Sequence, residues 1–82
     1  MSNTVVIHGP QGCGKTRNAQ ALAAHFGCSS VVDDWNGRDW IDAGSLVLTN
    51  VEDWKASALP IRRRVLPFAI AMREAGLVSA AA

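Results

Sequence analysis

Tyrosine is absent from this chain of 82 residues, and phenylalanine, cysteine and proline occur only 2, 2 and 3 times. The two cysteines, Cys13 and Cys28, form no Cys-x-x-Cys, and His8 and His25 are not clustered. That argues against both a disulfide framework and a zinc-ligand spacing. No apolar run approaches the roughly twenty residues that a membrane-crossing helix needs. The opening Met-Ser-Asn-Thr carries no basic side chain, so no signal peptide is expected and the expected location is the cytoplasm, with reduced thiols. A net charge of +1 promises no particular class of partner.

The hydrophobic fraction is 49%, but thirteen of those residues are alanine, which adds little core volume. A chain this short buries only roughly 60% of the surface that it exposes when unfolded. A large enzyme with its own lid and substrate domain is therefore excluded. The expectation is one minimal domain over residues 1–79, with Ala80–Ala82 as a disordered tail.

Charge is unevenly placed. Six acids (Asp33, Asp34, Asp39, Asp42, Glu52 and Asp53) crowd into residues 33–53, opposed there by Arg38 alone. Beyond them come Lys55, Arg62, Arg63, Arg64 and Arg73, against Glu74. Such asymmetry can mark distinct functional faces.

Thr4–His8 is a β-branched run suited to a strand buried on both faces. After a glycine-rich turn, Lys15–Phe26 has the helical spacing Ala19, Leu22, Ala23, Phe26, and Gly27 supplies a stop. Ser30–Asp33 reads as a second strand, 35–44 as a loop, and Leu46–Leu48 as a third strand ending in Thr49 and Asn50. Residues 52–58 could make two helical turns before Pro60. The segment after Pro60 admits a strand over Ile61–Leu66 with a helix opened by Pro67 and capped by Gly76, or one long helix kinked at Pro67. Either way the expected class is α/β, a small three-layer parallel sheet of 3–4 strands with helices on both faces.

Gly9-Pro10-Gln11-Gly12-Cys13-Gly14-Lys15-Thr16 matches Gly-x-x-x-x-Gly-Lys-[Ser/Thr] at every required position. A phosphate chain must be ringed by backbone N–H groups, so the loop needs residues without a Cβ where it curls. The following helix aims its positive end at the same anion. Lys15 would reach the β- and γ-phosphates and the Thr16 hydroxyl would ligate Mg²⁺. Arg17, next in the chain, is counted with the loop. Cys13 occupies a free position, as a packing or surface thiol rather than a nucleophile.

On these residues the first roughly fifty positions resemble the P-loop NTPases, and the brevity of the chain is similar to that of short P-loop proteins of phages and prophages. The resemblance implies binding of ATP or GTP with Mg²⁺. It also implies that Asp33, at the end of Val31-Val32-Asp33-Asp34, holds the metal through water. Asp34 stands where the catalytic-glutamate class carries its general base, and the tip of the third strand, Asn50 or Thr49, where that class presents a polar residue to the attacking water. Against this, two hydrophobics before two acids is also what a strand entering a solvated acidic turn looks like. No Asn-Lys-x-Asp guanine motif is present, which favours adenine.

Three functions follow as expectations. The first is a nucleotide-binding domain, with slow hydrolysis unless a second copy or another protein completes the site. The second is a nucleotide-dependent interaction module, and the third a small nucleotide or metabolite kinase. Arg62–Arg64 could serve a neighbouring subunit as an arginine finger, contact nucleic-acid phosphates, or pair in water with the acids of 33–53. At least two of Trp35, Trp40 and Trp54 are expected to cover a small core, His8 to be a buried neutral spacer, and His25 to favour the negative end of the first helix.

Overall fold

The computed structural model describes residues 3–10, 17–51 and 53–77. Gln11–Thr16, Glu52 and the expected tail Ala80–Ala82 lie outside the described residues. Within them the chain forms an α/β unit in the order β1 (Val5–His8), α1 (Ala19–Phe26), β2 (Ser30–Val32), β3 (Ser45–Thr49), a 3₁₀ turn (Ala56–Ala58), β4 (Arg64–Pro67) and α2 (Phe68–Glu74). The strand reading of the segment after Pro60 holds, beginning later than expected at Arg64.

The strands make one sheet in the order β2-β3-β1-β4, and every pairing is parallel. Val5 pairs with Leu46 on one side and Arg64 on the other, and His8 with Thr49 and Pro67. β1 and β3 are central, which is why Val5, Val6, Ile7, Leu46, Val47 and Leu48 are buried whichever way they point. Pro67, which has no N–H to give a ladder, ends β4 at the sheet edge.

Alternation along the strands divides the core in two. Val5, Ile7, Leu46 and Leu48 pack with Ala19, Leu22, Ala23 and Phe26 of α1 and Ala71 and Met72 of α2. Val6 and Val47 point the other way and pack with Trp35, Ile41, Ala58 and Leu59. Both described α-helices therefore cover one face. The other face, where a helix was expected, is covered among the described residues by the 35–41 loop and the 3₁₀ turn. The two helical turns expected over 52–58 reduce to that turn because the Lys55 N–H is drawn out to the Gly37 carbonyl at 2.7 Å.

α1 ends as its sequence dictates. The Cys28 N–H returns to the Ala23 carbonyl at 2.9 Å and the Gly27 N–H to that of Ala24 at 3.4 Å, the paired bonds of a Schellman cap. That geometry needs a left-handed residue, and Gly27 has φ 71°. The Asn3 amide donates to the Phe26 carbonyl at 3.0 Å. α2 closes the same way, with Leu77 N–H on the Met72 carbonyl and Gly76 N–H on that of Arg73. No helix of the described residues is long and apolar enough to cross a membrane.

Candidate functional site at the carboxyl edge of the sheet

A parallel sheet gathers the carboxyl ends of its strands on one edge. The connection leaving β1 becomes α1 on one face, while that leaving β3 brings Ala58 and Leu59 to the opposite face. β1 and β3 are neighbours, so a crevice opens beyond their carboxyl ends. The chain leaves β1 there with Gly9, whose N–H still bonds the Thr49 carbonyl at 3.1 Å, and re-enters description at Arg17 ahead of α1. Gly9 and Pro10 thus stand at this crevice, in the stretch of sequence between β1 and α1. Gln11, Gly12, Cys13, Gly14, Lys15 and Thr16, the residues expected to hold phosphate, lie outside the described residues. Of the rest of the motif's neighbourhood, Gly9 is half-buried and Pro10 and Arg17 are exposed.

The acids expected near a metal also reach this edge. Asp33 follows β2 and is exposed. Since β3 intervenes, Asp33 sits two strand spacings from β1, about 10 Å. Asp34 is exposed too and adopts φ 55°, uncommon for a non-glycine residue, as the chain turns sharply away from β2. Among the described residues no group of three or more His, Cys, Asp or Glu side chains is arranged to hold a metal ion.

The third strand's tip separates into two roles. Thr49 is fully buried; its hydroxyl donates to the Trp35 carbonyl at 2.8 Å and accepts from the Val51 N–H at 3.0 Å. It acts as a structural clamp, and its full burial keeps the hydroxyl away from solvent. Asn50 is exposed and borders a cavity of 460 Å³ with Gly9, Pro10, His8, Pro67 and Phe68. Of the sequence-predicted residues, the structure therefore brings Asn50 together with Gly9 and Pro10. Asp33 and Asp34 stand apart from that cavity.

Pro67 and Phe68 were not anticipated as site residues. Their only sequence signal was position: a proline opening a helix directly after the last parallel strand must lie at the carboxyl edge. His8 is half-buried rather than buried, its ring 5.9 Å from that of Trp54, which in turn lies 6.2 Å from Trp35. Trp35 and Trp54 do cover the core, whereas Trp40 is 73% exposed. His25 stands in the last turn of α1, its ring edge-on to Phe26 at 4.8 Å.

The arginine cluster belongs to the opposite end. Arg64 opens β4 beside Val5, at the amino edge. It pairs with Glu74 of α2 at 3.2 Å and lies over the Phe26 ring at 5.7 Å, so its partner is not one of the acids of 33–53. Arg63 donates to the Pro60 carbonyl at 3.0 Å. The length of β4 separates these arginines from the crevice of their own chain, about 13 Å. Comparisons with protein-family models, with curated proteins and with solved structures found no match to this chain.

Proposed function

We propose that this chain is a minimal nucleotide-binding domain that takes a nucleoside triphosphate with Mg²⁺ at the carboxyl edge, over the crevice between β1 and β3. One observation carries the reading: the complete Gly9–Thr16 motif runs from a buried central strand to a helix, at the point where neighbouring connections diverge to opposite faces. Backbone N–H groups of the glycine segment and the Lys15 ammonium would bind the phosphates. Mg²⁺ is commonly held by one or two protein oxygens, the rest being phosphate and water. A hydroxyl and a carboxylate suit that demand, so Thr16 and Asp33 would hold the ion. Bound there, it would neutralise phosphate charge.

Turnover is proposed to be slow in the isolated chain. Hydrolysis needs an oriented water, a base and charge stabilisation. Asp34 and Asn50 are the candidates for the first two, while Arg62–Arg64 of the same chain stand at the opposite end. Titration calorimetry with Mg·ATP, Mg·GTP and the diphosphates tests binding; a folded protein that binds none of them at millimolar concentration overturns the reading. Lys15→Ala is expected to weaken affinity about 10- to 100-fold, the loss of a hydrogen bond to a charged group. Unchanged binding and phosphate release in that variant would overturn the assignment equally.

A second reading, phosphoryl transfer to a small acceptor, is favoured by the 460 Å³ cavity beside Gly9. Its size falls within the range of small-molecule sites, and it combines apolar walls with the polar side chains of His8 and Asn50. Phosphate appearing on an added nucleoside monophosphate, and lost in Asn50→Ala, would support transfer over hydrolysis.

A further inference from the structure

The amino edge carries a groove of 990 Å³ that owes nothing to the nucleotide reading. Phe26, Pro60, Ile61, Arg62, Arg63 and Arg64 stand among its lining residues, and among the described residues no acid lines it. Its charge is therefore of one sign. Arg64 is answered by Glu74. Arg62 and Arg63 make no ion pair among the described residues, and the Arg63 guanidinium meets only the neutral carbonyls of Pro60 and Ile61. Those bonds fix the turn that displays Ile61, a side chain 95% exposed.

The groove also reaches an open backbone edge. β4 stands last in the strand order, with β1 as its one neighbour among the described residues. The Arg64 N–H is given to the Thr4 carbonyl at 2.9 Å, towards β1. Backbone groups alternate in direction along a strand, so Val65 turns its N–H and C=O to the outer side. Such an edge is a template for another extended chain. Arg64 both opens β4 and lines the groove, so the two surfaces meet there.

These features select the occupant. Phosphates would suit Arg62 and Arg63, but the bases of a nucleic acid need an exposed ring on which to stack. The one aromatic ring in the groove lining, Phe26, is buried, with Arg64 lying over it. An extended acidic peptide satisfies charge, apolar surface and backbone together. We propose that the amino edge docks an extended acidic segment of a partner protein, which adds to β4 as a further strand. Its carboxylates pair with Arg62 and Arg63, and an apolar side chain covers Ile61.

Fluorescence anisotropy tests this, with a labelled peptide of glutamates around one central leucine titrated with the full chain. The expected result is saturable binding that weakens as salt rises, since the exposed Arg62 takes part. Arg62→Glu/Arg63→Glu should raise the dissociation constant at least about tenfold and turn the preference to a peptide with lysine in place of glutamate. Arg62→Glu alone, which spares the Arg63 bond to Pro60, and Ile61→Ser should act in the same direction. Circular dichroism reports the fold of every variant. Methylating the backbone nitrogens of the peptide should also cost at least about tenfold, because strand addition needs its N–H groups. A folded chain that leaves the acidic peptide unbound at about 1 mM overturns the proposal. So does binding indifferent to the arginine changes or to backbone methylation, or a groove that takes oligothymidylate and not the peptide.

Discussion

The two faces of this sheet are built by different means. On one, two α-helices press alanines, Leu22, Phe26 and Met72 onto Val5, Ile7, Leu46 and Leu48. On the other, a loop folds Trp35 and Ile41 over Val6 and Val47, and one 3₁₀ turn adds Ala58 and Leu59. Helices satisfy their own backbone groups, so the first face needs only apolar spacing. A loop cannot, and the second face depends on individual bonds. The Trp35 indole N–H donates to the Asp39 carbonyl at 2.8 Å, and the Trp35 backbone N–H to that of Leu48 at 2.9 Å. The Asn36 side chain accepts from the N–H groups of Arg38 and Asp39. A small chain with few helices thus completes its core by wiring a loop in place.

That contrast can be broken. If the loop face is half of the core, Trp35→Ala costs about 3–5 kcal/mol, enough to unfold a domain this small, and Leu22→Ala on the helix face costs about 2–5 kcal/mol. Urea denaturation followed by circular dichroism measures both. A loss under about 1 kcal/mol at Trp35 would mean that the loop merely rests on the sheet. Thr49→Val keeps the shape but strands the Trp35 carbonyl and the Val51 N–H, and should cost about 1–3 kcal/mol by the same assay.

Gly37→Ala probes the loop's backbone alone. Its φ is 84°, and an added Cβ would meet Val51 Cγ1 at 3.1 Å and Trp54 Cβ at 3.3 Å. A loss of about 1–2 kcal/mol is expected, without change in the far-ultraviolet helix signal.

The smallest effect belongs to the helix face. Burial pushes the Cys28 thiol up from its ordinary value, partly offset by a backbone hydrogen bond with Val5. With the folded value raised, the unfolded chain releases the thiol proton first. The contribution of Cys28 is therefore whole below the ordinary thiol range and fades as pH rises through it. Denaturation midpoints at neutral and alkaline pH should diverge less in Cys28→Ala than in the parent chain.

Much of the helix face was legible. The Ala19, Leu22, Ala23, Phe26 spacing and Gly27 placed α1, and the β-branched run placed β1, because helix and strand periodicities act locally. The loop face was not. Residues 52–58 have helix-compatible composition, yet the bond from Lys55 to Gly37 spans 18 positions and overrides it. At the candidate site, strand polarity put Gly9, Asp33 and Asn50 at the carboxyl edge of the sheet. Sequence could not separate Thr49 from Asn50, adjacent polar residues at a strand tip. Nor could it send Arg64 to Glu74 rather than to the acids of 33–53, since strand order decides which edge a side chain occupies.

The sequence by itself determined β1, α1 and the Gly-x-x-x-x-Gly-Lys-Thr spacing, since these rest on short-range periodicity, capping and backbone freedom. Tertiary structure alone decided that both described helices share a face, that Thr49 is buried beneath the Trp35 loop, and that Arg62–Arg64 stand at the end opposite Gly9 and Pro10. Those outcomes depend on parallel registry and strand order, which join residues far apart in the chain.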